Sequence, residues 1–226
     1  MAETELGRSD GRDLAVIDRL ERLYVAVVSD CLDRLGIRGN VMEPRIRPLF
    51  PVRVAGFAAT VHAVEVAGVP EDRTRWYEGE IAAVDSQQPG DVMVVSTCRG
   101  SYWGELLATA SRARGARGIV ADAYTRDTRA LQELGYPTFV AGINAQDSLG
   151  RIDVDELGGT ISCGGVLVCH GDLVLGDDDG VVVVPAACAA EVLSLAEQKV
   201  ATENSVRAEL ARGVSVRAVF EQHGSL

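Results

Sequence analysis

Several common catalytic signatures are missing from this 226-residue sequence. Its three histidines form no HxH or HExxH spacing, which argues against zinc catalysis. Ser101 sits in no GxSxG elbow, and the glycines match neither GxGxxG nor a P-loop. Five cysteines (Cys31, Cys98, Cys163, Cys169, Cys188) are an odd number without a CxxC pair. This speaks against a disulfide framework or structural zinc and fits small apolar fillers in a reducing cytoplasm. No run of lysine or arginine offsets the formal charge of -11, so binding nucleic acid through its phosphates is not expected. The densest basic spot, around Arg112, Arg114 and Arg117, reads as a solvated helix face. The longest apolar run, Val181 to Ala190, is broken by Pro185 and is too short to span a bilayer. The opening MAETELGRSDGR has no apolar core of a signal peptide, and residues 1–12 read as a loose arm. Internal repeats and low-complexity linkers are also missing.

What is present is a globular composition, 47% hydrophobic and 24% charged, sufficient for one α/β domain over residues 1–226. From Asp13 to Leu35 apolar residues recur at helical spacing. The pattern predicts two helices broken near Val28–Ser29, the second capped by Ser29 or Asp30 and stopped by Gly36. A proline-bearing loop then leads to a strand over Arg53–Val66. Short apolar runs at Asp91–Ser96, Gly118–Ala121 and Thr138–Ala141 read as buried strands. Between them, Glu105–Arg114 and Thr128–Leu134 read as helices, the first with Leu106, Leu107, Ala110 and Ala113 on one face. Strand, helix, strand, helix, strand is the pattern of parallel βαβ crossovers. Four further strands are expected at Thr160–Ser162, Val166–Cys169, Asp172–Leu175 and Gly180–Val184, with Asp177-Asp178-Asp179-Gly180 as a tight turn. Pro185 opens a long helix to about Ala211.

In open α/β sheets, ligands bind beyond the carboxyl ends of the strands. Two such loops, Thr97–Gly104 and Asp122–Asp127, would lie side by side. At the first, Gly104 permits close approach, and the free amides opening the helix at Glu105, Leu106 and Leu107 can hold an anion. The second pairs Arg126, a planar two-pronged donor, with Asp127, a hard oxygen ligand suited to a magnesium ion that keeps most of its waters.

These residues carry a resemblance. VVSDCLDRLG (27–36), QPGDVMVV (88–95), WGELLATASRARGARGIVADAYTRD (103–127), LGYPTFVAG (134–142), GRIDV (150–154) and GVLVCHGDLVLGDDDGVVVVP (165–185) are similar, in order, to the 4-hydroxy-4-methyl-2-oxoglutarate aldolase family, which also contains the regulator-of-ribonuclease-activity proteins. Two stretches depart from it. The family usually reads aspartate-glycine before its arginine-aspartate pair, while here Ala123-Tyr124 stand between Asp122 and Thr125. GINAQDS (142–148) lacks a proline the family often carries.

The resemblance implies a layered α/β/α swivelling-domain fold, with a central parallel or mixed sheet and helical extensions at both ends. It implies homotrimers or homohexamers with sites at subunit boundaries. It also implies a metal-dependent pyruvate aldolase that cleaves a 4-hydroxy-2-oxo acid and decarboxylates oxaloacetate as a side activity. In that picture Asp127 holds magnesium or manganese, Arg126 contacts the keto and carboxylate oxygens, and the Gly104–Leu107 amides bind the pyruvyl carboxylate. Glu105 and Asp122 order water at the metal. Glu203, on the long helix over residues 186–212, reaches a neighbouring subunit's site. It sits in an apolar stripe with Val192, Ala196, Val206 and Leu210, where a carboxylate needs a polar partner across an interface. The alternative is a non-catalytic regulator of a ribonuclease that acts by protein–protein binding.

Overall fold

The computed structural model describes residues 12–224. Of the expected N-terminal arm only Arg12 lies among them; its guanidinium pairs with Asp91 at 2.6 Å and covers the Phe57 ring. In chain order the elements are α1 (Ala15–Leu20), α2 (Val25–Arg34), β1 (Arg47–Pro48), β2 (Val54–Glu65), α3 (Glu78–Asp85) and β3 (Asp91–Val95). Next come β4 (Ser101–Trp103), α4 (Glu105–Ala113), β5 (Gly118–Thr125), α5 (Thr128–Leu134), β6 (Thr138–Ile143) and β7 (Ile152–Leu157). The last third holds β8 (Ile161–Cys163), β9 (Val166–Val168), β10 (Leu173–Asp177), β11 (Gly180–Val184), α6 (Ala189–Ala211) and α7 (Val216–His223).

One mixed sheet runs in the order β1-β6-β5-β3-β2-β10-β11, with β4 added on β5 and β7 on β2. The β2, β3, β5 and β6 pairings are parallel, as the βαβ pattern requires, and the flanking pairings are antiparallel. The sheet curls until its ends almost meet. Val41 bridges to Val182 of β11, and a few residues later β1 pairs with β6, so residues 40–48 span the seam.

The strands are apolar on both faces because both are covered. Val92, Val94, Val120, Phe139, Val174, Val181 and Val183 fill the inside of the curl, plugged by the β8–β9 hairpin through Ile161, Cys163, Val166 and Val168. Outside, Leu173, Leu175, Val182 and Val184 meet α1, α2 and α6. On the other flank Met93, Val95, Ile119 and Ala121 meet Ala83, Ala108 and Leu131 of α3, α4 and α5.

Three local expectations are corrected. The break between the first helices falls at Glu21–Tyr24, and Ser29 and Asp30 lie inside α2. The opening of α2 is capped from afar, by Asp177, whose carboxylate accepts from the Val25 amide at 2.9 Å. Asp30 instead pairs with Lys199 of α6 at 2.7 Å. Second, the sheet-facing side of α4 is Ala108 and Ser111 with Leu107 beside them, while Leu106 is 78% exposed and Ala110 and Ala113 face outward. Third, Val192 and Ala196 of the α6 stripe are buried against α1 and α2 of the same chain, reinforced by the Arg19–Glu197 pair at 2.7 Å. The end of the stripe at Val192 and Ala196 is therefore covered within the chain.

Candidate functional site

The end of β5 is tied to the end of β4. The Arg126 amide and the Thr125 hydroxyl both donate to the Trp103 carbonyl, each at 3.0 Å. Beyond this tie the backbone turns left-handed at Asp127 (φ 57°), which caps α5, while Gly104 stands at the head of α4. The two segments thus lie side by side, as the sequence predicts, but largely as the paired strands β4 and β5 and not as loops. The Glu105 amide donates to Asp127 Oδ2 at 3.2 Å. The amides of Leu106 and Leu107, in the first helical turn, have no carbonyl one turn earlier to bond. An open cavity of about 690 Å³ lies here, lined by Glu105, Leu106, Asp127, Thr128, Arg129, Ala130 and Glu133. Glu105 holds its carboxylate over its own helix, accepting from Thr109 at 2.7 Å.

Arg126 carries a partly exposed guanidinium, with Nε 4.0 Å from Asp127 Oδ2. Its Nη1 lies 3.2 Å from Asp147 Oδ1, in the loop after β6. Asp147 Oδ2 accepts from the Tyr77 hydroxyl at 2.6 Å. Burial pushes the Asp147 carboxyl up, but the Tyr77 hydroxyl, the Arg126 charge and the nearby amides outweigh it and hold Asp147 below its ordinary value. The same hydrogen bond, with burial, raises the Tyr77 hydroxyl to about 12. Beneath them Glu80 is buried; it accepts from Ser148 at 3.1 Å, and its other oxygen has no partner. Burial raises this carboxyl to about 7, against the opposing Ser148 hydrogen bond.

Tyr77, Glu80, Asp147 and Ser148 escaped the sequence reading. Tyr77 and Asp147 lie 70 residues apart, and no periodic signal joins the two segments. Their one local signal is the polar string Asn144–Ser148, read above only as a departure from the family.

Other predicted residues are placed elsewhere. Asp122 is not in a loop: β5 runs through it to Thr125, past an irregularity between Ala121 and Tyr124. Its carboxylate is buried and pairs with Arg45 through both oxygens, at 3.1 and 2.6 Å. It also accepts from Thr97 and the Gly164 amide. None of these partners hydrogen-bonds or ion-pairs with Arg126 or Asp127. Ala123 points into the outer core, and the Tyr124 ring lies over Gly142. Glu203 finds its polar partners in its own chain: it accepts from the Tyr24 hydroxyl and lies 3.6 Å from Lys199.

Among the described residues no three His, Cys, Asp or Glu side chains gather to enclose a metal ion. A magnesium site needs less, one or two carboxylates with waters and substrate oxygens. The donor chemistry at the cavity fits that pattern: Asp127 presents a half-exposed carboxylate with one amide contact, and Glu105 stands on the same rim.

Known proteins share this arrangement of chain and fold. A protein of Halalkalibacterium halodurans named "Putative 4-hydroxy-4-methyl-2-oxoglutarate aldolase" is 32% identical over 93% of this chain and 96% of its own. The crystal structure of an uncharacterized protein from Pseudomonas syringae superposes with a TM-score of 0.79 at 28% identity, covering 92% of this chain and 97% of that one. Streptomyces coelicolor RraAS2, described as an unusual member of the RNase ES inhibitor RraA protein family, superposes at 0.73 with 29% identity, covering 87% and 97%. Residues 25–183 match the RraA-like family, described as Aldolase/RraA, and the chain belongs to that family.

Proposed function

We propose that this protein is a divalent-metal-dependent lyase that cleaves a 4-hydroxy-2-oxo acid to pyruvate and a second carbonyl compound. The observation that supports this reading is the convergence of Arg126, Asp127 and the head of α4: Asp127 lies 4.0 Å from Arg126 Nε, accepts from the Glu105 amide, and lines an open cavity with Glu105 and Leu106. A protein acting only by docking has no need of such a convergence. The chain's one lysine, Lys199 of α6, is paired with Asp30 of α2 and Glu203 of α6, which leaves no free lysine for a Schiff-base route.

The amides of Leu106 and Leu107, at the positive end of α4, bind the substrate carboxylate. Arg126 donates to the keto oxygen. When the C4 hydroxyl loses its proton, the C3–C4 bond breaks, C4 becomes a carbonyl and the electron pair moves onto the pyruvyl fragment as an enolate. Arg126 meets that negative charge where it develops, and Glu105 at the rim orders the water that takes the proton. Asp127 would hold magnesium or manganese, which supplies Lewis-acid stabilisation of the same oxygen. Asp122 acts here through Arg45 and the frame. Glu203 joins the site only if assembly brings it to a neighbour's cavity. Oxaloacetate decarboxylation passes through the same enolate and is expected alongside.

The test is a pyruvate-coupled assay over 4-hydroxy-2-oxo acids and oxaloacetate. Turnover should vanish with chelator and return with magnesium or manganese. Full turnover by carefully demetallated protein would overturn the metal requirement. Silence toward every 2-oxo acid would favour a binding role instead.

A further inference from the structure

What holds Arg126 comes from two distant segments. Tyr77 is the N-cap of α3 and is left-handed, φ 56°, an uncommon and strained setting for a bulky residue. Among the described residues the only other non-glycine residue with positive φ is Asp127. One therefore follows Arg126 directly, and the other reaches it through a single carboxylate. The first turn of α3 grips the Asp147 loop twice: Tyr77 donates to Asp147, and three residues on Glu80 accepts from Ser148. Asp147 Oδ1 is sealed from solvent yet lacks a well-aligned hydrogen bond, although Arg126 Nη1 is 3.2 Å away.

A carboxylate beside an arginine ordinarily closes on it with both oxygens, in a two-pronged pair. Here the Tyr77 hydroxyl engages Oδ2 and fixes the carboxylate in an orientation in which Oδ1 is the oxygen nearest Arg126. We propose that Tyr77 and Asp147 are positioning residues for Arg126: Tyr77 restrains Asp147 so that it steadies the guanidinium through one oxygen and leaves the other donors free for an anionic ligand. This rests on Arg126 being the anchor of the keto acid, as argued above.

The arrangement has an epistatic signature that general scaffolding lacks. Tyr77→Phe releases Asp147 to close on Arg126 and compete with the ligand, so KM should rise about tenfold with kcat little changed. Asp147→Asn removes the competitor and the anchor together, so kcat should fall. In the double variant the KM defect of Tyr77→Phe should disappear. Binding of oxalate, a planar dianion shaped like the pyruvate enolate, gives a readout without turnover. Measured by calorimetry with magnesium present, it should weaken about tenfold in Tyr77→Phe and recover in the double variant. Wild-type affinity in Tyr77→Phe, or a double variant as weak as the single one, would overturn the proposal. If oxalate binding follows the expected pattern while no 2-oxo acid is cleaved, the positioning stands and the lyase reading falls. If Arg126→Ala binds oxalate like wild type, both fall.

Discussion

Gly104 faces the carboxylate of Asp127 so closely that a methyl group on its Cα would sit 2.8 Å from Oδ2 and 3.6 Å from Arg126 Nε. The backbone there is extended, so the requirement for glycine is one of space and not of conformation. Gly104→Ala should fold normally while pushing Asp127 off its amide contact. A displacement approaching 1 Å costs up to about a hundredfold in kcat/KM, and the apparent magnesium affinity should fall with it. Unchanged activity would show that Asp127 does not work from this position.

Arg126→Lys should lose nearly as much activity as Arg126→Ala. Lysine keeps the charge but not the planar fork, which meets Asp147 through Nη1 and on the proposed reading serves a keto acid with its other donors. The loss corresponds to about 2–4 kcal/mol of transition-state binding, as for a removed oxyanion donor. Measuring kcat/KM for pyruvate release decides the matter. Near-normal turnover by the lysine variant would reduce Arg126 to a charge-balancing role.

Glu80 links stability to pH. Burial raises its carboxyl from an ordinary 4.5 to about 7 in the folded chain. Between those values the folded state holds more protons than the unfolded one, so this contribution is complete below pH 4.5 and is lost as pH rises through 7. Glu80→Gln keeps an acceptor for Ser148 and removes the titration. It should stabilise the protein above pH 7, by about 3 kcal/mol at most. Thermal unfolding followed against pH checks this. Parallel curves for wild type and variant across that window would refute it.

Leu106 and Ile143 are 78% and 66% exposed, and Leu106 also lines the Asp127 cavity. Large apolar side chains at a site's rim are natural contacts for a second copy. Sedimentation should give a trimer or a multiple of it, and Leu106→Glu should shift the protein toward monomer with loss of turnover. A wild-type monomer at micromolar concentration would contradict this, along with any role for Glu203 in a neighbour's site.

The parts legible in the sequence are those fixed by local pattern. Continuous apolar runs mark β3, β5 and β6, and Gly135, left-handed at φ 67°, ends α5 where expected. The Gly104–Arg126–Asp127 core follows from strand order alone, since both residues after Thr125 and the glycine before α4 must emerge at one edge. Long-range capping is what hid the rest. The start of α2 depends on Asp177, 152 residues away. Helix α3 opens Glu-Gly-Glu and buries only Glu80, Ala83 and Val84, too thin a face to announce a helix or the residues on its first turn. Asp122 falls in the wall and not in a loop because β5 continues four residues past its apolar run, through an irregularity that no alternation foretells.

The Asp122–Arg45 pair has a consequence for how the ring of strands opens. Arg45 lies on the 40–48 segment that spans the seam, while Asp122 belongs to the wall, so the pair acts as a clasp on an otherwise short closure. Asp122 is buried but the Arg45 side chain is 43% exposed, so solvent screens the pair and breaking it costs about 1–3 kcal/mol, less than for a fully buried pair. In amide hydrogen exchange, the few seam amides that bond across, such as those of Met42 and Val183, should then be the first to lose protection, ahead of the β3–β5 core. A variant at Asp122 that loses turnover would thus be reporting an unfastened wall, and only the exchange pattern would tell that apart from a missing chemical group.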